Sequence, residues 1–308
     1  MKKSYIQHPG NWSGSMRIFI TGGSGLLGSK IAEIALREHE VYAGYCHNKP
    51  EFGEPVKFDL TKDTDLEVVY KIKPEVIIHT AALTNVDECE ANKELAYKIN
   101  AEGTKGVAEI AKESGSFLIY VSTDYVFSGD KGMYKEDDEP NPISHYGYTK
   151  LMGEKYYCDC IVRPCVIYGA KPASGKVNFA LWLMDKLRNK EEVKIVTDQY
   201  VTPTLNTNLA KMLLEIAERE LKGIFHLAGA TRVSRYDFAL RIADKFGLDK
   251  DLVIPSRMEE MKWIASRPTD SSLDTSKASR YLKEKPYDLD KALTILKEEM
   301  ENAERNRS

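Results

Sequence analysis

Short runs of β-branched and aromatic residues recur along the first half of the chain, and amphipathic segments of helical period lie between most of them. Strands that alternate with helices predict a parallel sheet that is covered by helices on both faces. We therefore predict an α/β fold of the Rossmann type, with a doubly wound parallel sheet. The predicted strands are Arg17–Thr21, Val41–Tyr45, Val56–Phe58, Val76–His79, Phe117–Ser122 and Ile161–Arg163. The predicted helices are Leu26–Glu38, Asp65–Lys73, Lys93–Glu113 and one that starts near Tyr146.

The second half has a looser pattern of short strands and helices, which is typical of a smaller C-terminal α/β substrate lobe. A chain of 308 residues is long enough for one large domain or for two lobes. Segments within 193–227 are expected to rejoin the first sheet, and a last helix is predicted over Leu289–Met300. The expected division is a flexible leader over 1–15, a Rossmann domain over 16–168, a second lobe mainly over 169–300 and a frayed tail over 301–308.

Charge and composition argue against several classes of function. The chain has 44 Lys and Arg residues and 47 Asp and Glu residues, so its formal net charge is −3. We therefore expect no nucleic acid to be bound through the electrostatic field of the whole protein. No apolar run approaches the ~18 residues that a membrane helix needs, so we expect no membrane partner. The 5 cysteines include no Cys-x-x-Cys pair, and the 6 histidines are scattered. This usage favours a cytoplasmic protein without a metal site.

A glycine-rich turn follows the first predicted strand. The segment Thr21–Gly28 reads T-G-G-S-G-L-L-G, and a helical pattern begins within it. Glycines let a pyrophosphate approach the backbone, and the amides at the start of the following helix attract anions. We therefore predict a dinucleotide cofactor here. The predicted contacts are Gly22, Ser24, Gly25, Leu26, Leu27 and Gly28.

The end of the second strand bears on which dinucleotide binds. An NAD-binding fold of this type carries an acid about 20 residues after the glycines, where it bonds the ribose. The stretch Tyr45–Lys49 has no acid, and His47 and Lys49 suit a ribose 2′-phosphate, so the pattern slightly favours NADP(H) over NAD(H). Further cofactor contacts are expected at strand ends, namely Tyr45, His47, Asn48, Asp59, Leu60, Thr80, Ala81, Ala82 and Val121.

Two segments carry groups that are suited to proton transfer. Tyr146 and Lys150 form a Tyr-x-x-x-Lys pair, and residues four apart lie on one face of a helix. A neighbouring ammonium lowers the pKa of a phenol from about 10, which lets tyrosine exchange a proton near neutral pH. Thr123 follows the fifth strand and is expected to hold a substrate oxygen. We predict that these three residues are catalytic, although an isolated pair of this kind is more often a solvated helix face. Tyr146 and Lys150 are also predicted cofactor contacts, with Lys150 bonding the nicotinamide ribose.

Taken in their order along the chain, these motifs resemble those of the extended short-chain dehydrogenases/reductases. Longer segments are similar to the dTDP-4-dehydrorhamnose reductases within that family, and the resemblance covers about Met16 to Pro286. The segments that carry it are Ala81–Asp87, Ser122–Phe127, Tyr146–Glu154, Asp198–Thr204 and Arg267–Leu273.

The resemblance implies a homodimeric NAD(P)H-dependent reductase of a nucleotide-activated 4-keto-6-deoxy sugar. The implied reaction converts dTDP-4-dehydro-L-rhamnose to dTDP-L-rhamnose, with hydride added at C4, Tyr146 as proton donor and Lys150 tuning that tyrosine. Asn100 matches a position on the cofactor side of the crevice. Arg267 suits a pyrophosphate by its charge, and a structural salt bridge is an equally open role for it. The implied substrate contacts are Thr84, Val86, Thr123, Asp124, Tyr125, Asn178, Gln199 and Arg267.

One departure from the family pattern leaves alternatives open. The bacterial reductases carry a Trp three residues after the position of Arg163, and this chain has Val166 there. The Arg163-Pro164 pattern also resembles the regulatory β subunit of methionine adenosyltransferase, which implies a non-catalytic NADP-binding subunit as one alternative. A second alternative is another sugar-nucleotide reductase or epimerase. Dehydration is disfavoured, because Tyr125 follows Asp124 where the dehydratases of this superfamily carry a Glu.

Overall fold

The computed structural model describes residues 14–62, 65, 67–172 and 177–305, and within these residues seven parallel strands form one sheet. Side by side, the strands are β11 (Gly223–His226), β6 (Cys160–Arg163), β5 (Phe117–Val121), β4 (Val76–His79), β1 (Arg17–Thr21), β2 (Glu40–Tyr45) and β3 (Glu54–Lys57). The predicted doubly wound, Rossmann-type sheet is therefore confirmed.

The strand order reverses beside β1. The chain starts in the middle of the sheet, moves outwards through β2 and β3, returns to β4 and continues on the other side. Ligands of open α/β sheets bind at the carboxyl ends of the strands where the order reverses. The topology therefore places the expected ligand crevice between the ends of β1 and β4.

Helices of the first half lie between the strands in the chain, and two of them, Leu26–Ala35 and Gly103–Ser114, contact the sheet directly. The helices are α1 (Leu26–Ala35), α2 (Val68–Ile72), α3 (Val86–Ala91), α4 (Lys93–Tyr97), α5 (Gly103–Ser114) and α6 (His145–Glu154). Alternate residues of the strands pack in two different apolar clusters. Ile18 and Ile20 pack in the cluster that includes α1, whereas Phe19 and Ile77 pack in the cluster that includes α5. This two-sided burial explains why the central strands read as continuous apolar runs.

One predicted helix differs from the structure. The helix expected over Lys93–Glu113 is present, but it contains a wide turn of π type, Lys98–Glu102, between α4 and α5. The periodicity of the sequence runs through this turn without a break. Such turns recur at functional sites, and this one carries Asn100.

The second half forms shorter elements around a separate apolar core. Its helices are α7 (Phe179–Arg188), α8 (Asn206–Glu218), α9 (Arg235–Lys245), α10 (Ser276–Tyr281) and α11 (Leu289–Arg305). Its short strands pair as β7 (Ile167–Tyr168) with β10 (Thr204–Leu205), β9 (Tyr200–Val201) with β12 (Val233–Ser234), and β8 (Val193–Val196) with β13 (Val253–Ser256). Helices α8 and α10 are exceptions, because Leu209, Leu213 and Ile216 of α8 and Ala278 of α10 belong to the core of the large sheet, which β11 also joins.

The two chain ends differ from each other. The expected leader falls almost wholly on residues 1–13, outside the described residues. At the other end, α11 continues to Arg305 into the segment that was expected to fray. The helix is held because Leu296 is buried, Met300 packs against the same core, and Glu299 accepts a hydrogen bond from Thr207 at 2.5 Å. No helix in the described ranges is long and apolar enough to cross a membrane.

Candidate active site

A cavity of about 790 Å³ opens at the carboxyl ends of the sheet strands and extends to the start of α7 and α9. It brings together most of the residues that the sequence singled out. These are Gly22, Ser24, Gly25, Leu26, Leu27, Gly28, His47, Asn48, Asp59, Leu60, Thr80, Ala81, Ala82, Thr84, Val86, Val121, Thr123, Asp124, Tyr125, Tyr146, Lys150 and Asn178. Five others, Tyr45, Lys49, Asn100, Gln199 and Arg267, do not line it.

The glycine turn has the geometry of a phosphate cradle. A Cβ atom added to Gly28 would lie 2.2 Å from the carbonyl oxygen of Gly22, so α1 can pack on the turn only without a side chain there. Helix α1 begins after Gly25 with no side-chain cap and no acid in its first turn. Its first amides and its partial positive charge therefore face the cavity without a competing acid, which fits a dinucleotide pyrophosphate.

The wall next to the turn is formed by the ends of β2 and β3. Asp59 accepts hydrogen bonds from the backbone nitrogen of Thr61 at 3.0 Å and from its hydroxyl at 2.8 Å. Burial alone would raise the pKa of Asp59, but these bonds and the nearby Lys62 outweigh burial and lower it. Asp59 is thus an ionised acceptor on the cavity wall. Tyr45 lies outside the cavity and packs under Lys57, whose Nζ is 5.4 Å from the ring centroid.

A buried histidine fixes the end of β4. Thr21 Oγ1 accepts from the backbone nitrogens of Thr80 and Ala81 at 3.0 Å each, so its own proton goes to His79 Nδ1 at 2.7 Å. The Nε2 atom of His79 then carries the ring proton and donates to Thr104 Oγ1 at 3.0 Å. Burial, with the charge of Lys150, lowers the pKa of His79 to about 3. The neutral ring therefore holds the Thr80–Ala82 wall in place.

Asn100 supports the cavity from behind. Its Oδ1 accepts from the backbone nitrogen of Leu83 at 2.8 Å, and its Nδ2 donates to the carbonyl of Leu83 at 3.0 Å and to Thr149 Oγ1 at 3.1 Å. Thr149 in turn donates to the carbonyl oxygen of Tyr146 at 2.9 Å. The sequence pointed to Asn100 as a cofactor contact; the structure instead has it joining one cavity wall to the helix that carries Tyr146.

Helix α6 brings the Tyr-x-x-x-Lys pair into the cavity. Ser144 caps the helix by accepting from the backbone nitrogen of Gly147 at 3.2 Å. A Cβ atom added to Gly147 would lie 2.1 Å from the carbonyl oxygen of Tyr125, so the glycine permits close approach to the segment after β5. Tyr146, Lys150 and Thr123 consequently line one cavity.

The protonation of this pair differs from the expectation. The Nζ atom of Lys150 donates to the carbonyl oxygen of Val121 at 2.8 Å and lies 4.4 Å from the ring centroid of Tyr120. Burial lowers the pKa of Lys150 to about 7. Burial also raises the pKa of Tyr146 well above its ordinary value, against a lowering by its bond to Thr123. The expected fall in the tyrosine pKa is therefore reversed, and Tyr146 is a neutral phenol.

Thr123 and Asp124 lie next to Tyr146. Thr123 Oγ1 donates to Asp124 Oδ1 at 3.1 Å and accepts from the backbone nitrogen of Tyr125 at 3.2 Å. Asp124 is 3% exposed, and burial raises its pKa. Its second oxygen, Oδ2, is buried without a hydrogen-bond partner among the described residues. The site thus combines a phenol and a hydroxyl with a buried carboxyl group beside them.

A buried ion pair braces the site. The guanidinium of Arg163 makes two bonds to Glu154, from Nε at 2.9 Å and from Nη2 at 2.6 Å, and Glu154 also accepts from Ser122 at 2.5 Å. The two side chains are 2% and 6% exposed. This pair joins the end of β6 to the last turn of α6 and thereby fixes the helix that carries Tyr146.

Three predicted substrate contacts have structural partners. Arg267 pairs with Asp87 at 3.0 Å and donates to the carbonyl oxygen of Ala265, so of its two expected roles the structure has the salt bridge. Gln199 is 3% exposed and donates to the carbonyl oxygen of Pro268 at 3.1 Å. Asn178 does line the cavity, but its amide caps α7 and donates to the carbonyl oxygen of Gly169.

The cavity also includes residues that sequence reasoning did not assign as contacts. They are Cys46, Phe58, Thr61, Leu83, Ile99, Ser122, Pro164, Val166, Ile167, Val177, Phe179 and Arg235. Val166 has φ 43°, an uncommon left-handed conformation for a β-branched residue and one that is found at functional sites. For Arg235 the sequence held only a weak signal, its position after the helix-capping Ser234.

A cluster of possible metal ligands lies away from this cavity. Ligand atoms of Glu38, His39 and Glu218 lie within 4.8 Å of one another. His39 Nδ1 accepts from the backbone nitrogen of Met16 at 3.3 Å, so a neutral ring carries its proton on Nε2, which faces Glu218 at 3.5 Å. That tautomer offers no nitrogen lone pair to a metal.

Known proteins resemble this chain over most of its length. Residues 16–301 match the family model of the RmlD substrate binding domain. A probable low-salt glycan biosynthesis reductase of Haloferax volcanii is 36% identical over 273 residues, 85% of this chain and 90% of that protein. The dTDP-4-dehydrorhamnose reductase of Aggregatibacter actinomycetemcomitans is 33% identical over 294 residues, 90% and 97% of the two chains. Methionine adenosyltransferase 2 subunit beta of Bos taurus is 31% identical over 274 residues, 85% and 81%.

A solved structure agrees with these matches. The Bacillus anthracis dTDP-4-dehydrorhamnose reductase in complex with NADP superimposes with a TM-score of 0.83 and 31% identity, over 92% of this chain and 99% of that one. Together these relatives bear out the predicted enzyme class, an NAD(P)-dependent oxidoreductase. The chain belongs to the RmlD substrate-binding-domain family of the extended short-chain dehydrogenases/reductases.

Proposed function

We propose that this protein uses NAD(P)H to reduce a nucleotide-activated 4-keto-6-deoxy sugar, with dTDP-4-dehydro-L-rhamnose converted to dTDP-L-rhamnose. The observation that carries the proposal is the half-buried phenol of Tyr146, which lies with Thr123 in the cavity that the uncapped glycine turn also lines, and whose pKa burial raises. Reduction of a ketone to an alcohol consumes a proton, and a neutral phenol is the form of tyrosine that can donate one.

The residues of the cavity divide this chemistry between them. The glycine turn would hold the pyrophosphate of NAD(P)H, which would supply the hydride to C4. Tyr146 donates its phenolic proton to O4, and Thr123 orients that oxygen through its hydroxyl. The ammonium of Lys150 then stabilises the phenolate, an attraction that is strengthened by burial. Asp124, Thr84, Val86 and Tyr125 are the neighbouring wall residues that we assign to the sugar nucleotide.

We assign NADP(H) as the preferred cofactor. The glycine turn fits the pyrophosphate of either dinucleotide, so the preference depends on the ribose. At the end of β2 the cavity wall consists of Cys46, His47 and Asn48, none of which is the acid that bonds an unphosphorylated ribose. Comparing the KM for NADPH with that for NADH tests the assignment.

A second candidate is a non-catalytic NADP-binding subunit. Two observations favour it: the 31% identity to methionine adenosyltransferase 2 subunit beta, and Val166 in the cavity wall where the bacterial reductases carry a Trp. Val166 is also compatible with a different sugar substrate, so another sugar-nucleotide reductase or epimerase is a further alternative. The intact set of Tyr146, Lys150 and Thr123 favours catalysis over a purely regulatory role.

We also propose a homodimer in the cytoplasm. The five cysteines are free thiols, as is usual in a reducing compartment. Size-exclusion chromatography with light scattering measures the assembly directly.

The deciding experiment follows NADPH oxidation with a panel of nucleoside-diphosphate 4-keto sugars. Substrate-dependent turnover with a dTDP-4-keto-6-deoxy sugar, and a 4-hydroxy product, are the expected results. Tight NADPH binding without turnover on any sugar would contradict the reductase and favour the regulatory subunit.

A further inference from the structure

The cavity wall opposite the glycine turn carries one arginine, Arg235, at the first position of α9. Its backbone nitrogen donates to the carbonyl oxygen of Gln199 at 2.8 Å, which fixes the start of the helix. Its guanidinium lies over the ring of Phe179, 5.3 Å from the centroid. The side chain is therefore held against an aromatic face with its charge at the cavity.

Among the described residues the guanidinium of Arg235 has no acidic partner, whereas two nearby arginines each pair with an aspartate. Arg232 pairs with Asp270, and Arg267 pairs with Asp87. Arg235 makes neither a hydrogen bond nor an ion pair through its side chain within the described residues. Its charge acts on Asp124 and Tyr125 only at longer range. A half-buried cation with five unused donors is a ready site for an oxyanion.

The surface around Arg235 narrows the class of ligand. Val177, which is 56% exposed, and Phe179 line the same part of the cavity and present apolar surface. The ring of Phe179 packs on that of Phe238, with 5.5 Å between the centroids. A flat apolar surface beside a planar cation suits a base or sugar joined to a diphosphate, because guanidinium bonds two phosphate oxygens at once.

We infer that Arg235, with the apolar surface of Val177 and Phe179, binds the nucleoside diphosphate part of the substrate. The inference rests on the proposed function for the kind of substrate, and it replaces Arg267 as the diphosphate contact. The glycine turn binds the pyrophosphate of the cofactor, so the cofactor pyrophosphate and the substrate diphosphate bind to different lobes of the protein.

The experiment measures nucleotide binding rather than turnover. Isothermal titration of the full chain, saturated with NADP⁺ to occupy the glycine turn, compares dTDP with thymidine, UDP with uridine and GDP with guanosine. The variants are Arg235→Gln, Arg235→Lys and, as a matched control three residues away, Arg232→Gln. Thermal unfolding of each variant checks that it is folded.

The wild type should bind at least one nucleoside diphosphate about 10- to 100-fold more tightly than the matching nucleoside. Arg235→Gln should remove this preference and leave nucleoside binding unchanged, Arg235→Lys should restore part of it, and Arg232→Gln should retain it. No preference in the wild type, a preference that survives in Arg235→Gln, or an equal loss in Arg232→Gln would overturn the inference. An intact diphosphate preference without turnover on any keto sugar would contradict the reductase alone.

Discussion

Lys150 Nζ donates to the carbonyl oxygen of Val121 at 2.8 Å, so the ammonium of the Tyr-x-x-x-Lys pair is held at the end of β5. The residue is 2% exposed, and burial lowers its pKa to about 7. Its neighbour Tyr146 is kept protonated by burial. The pair therefore starts as an acid ready to donate, with a cation placed to stabilise the phenolate that donation leaves behind.

The lowered pKa of Lys150 has a measurable effect on stability. In the unfolded chain this lysine titrates near 10.5, and in the folded protein near 7, so between these values the unfolded state binds more protons. The free energy of unfolding should then rise with pH in this window, by up to about 1.4 kcal/mol per pH unit from this group. Lys150→Met should be more stable than the wild type at pH 7, with an advantage that shrinks towards pH 10. Urea unfolding at several pH values measures it, and a pH-independent difference would show that Lys150 keeps its ordinary pKa in the folded protein.

Two buried histidines should limit stability in acid. Burial is the main cause that lowers the pKa of both His79 and His226 to about 3, from 6.5 in the unfolded chain. As pH falls from about 6.5 towards 3 the unfolded state takes up these protons first, so each histidine removes up to about 1.4 kcal/mol of stability per pH unit. His79→Gln and His226→Gln should each reduce the slope of unfolding free energy against pH by this amount. An unchanged slope in either variant would show that the ring is already charged in the fold.

The ion pair behind the site should be costly to break. Glu154→Gln leaves the buried guanidinium of Arg163 without a counter-charge, which should destabilise the fold by about 3–5 kcal/mol. The matched control is Glu109→Gln, which breaks an exposed pair with Lys105 and should cost less than about 1 kcal/mol. Urea unfolding compares the two, and equal losses would mean that the Arg163–Glu154 pair is no stronger than a surface pair.

Cofactor preference should respond to the wall at the end of β2. His47→Asp places a carboxylate where we assign the 2′-phosphate of NADP(H), and like charges repel. The ratio of kcat/KM for NADPH to that for NADH should fall about tenfold or more, a change of about 1.4 kcal/mol. The kcat/KM for NADH in the same variant is the internal control. A ratio that does not change would place the ribose away from His47.

Local patterns in the sequence were enough to predict the sheet and much of the cavity. The glycine spacing up to Gly28, the runs around Val76–His79 and the spacing of Tyr146 and Lys150 are each set within one strand–turn–helix unit. Because parallel strands end at the same edge, residues from separate units meet in one cavity. The fold class could therefore be derived without long-range information.

The features that were missed depend on contacts between distant segments. The sequence left Arg267 equally open to a pyrophosphate contact and to a salt bridge. Only the structure pairs it with Asp87, whereas Arg235 lines the cavity. The direction of the pKa shift of Tyr146 depends on burial, which residue spacing does not encode. Asn100 has its supporting role because a π turn interrupts an otherwise regular helical pattern.

The most direct measurement of the central claim is NADPH oxidation by Tyr146→Phe beside the wild type, with dTDP-4-dehydro-L-rhamnose as substrate. Removal of the phenolic proton donor should lower kcat by about 10²- to 10⁴-fold. The dissociation constant of NADPH should stay within a factor of about two, because Phe keeps the ring and its packing. Full activity in Tyr146→Phe, or no turnover by the wild type on any 4-keto sugar nucleotide, would contradict the account.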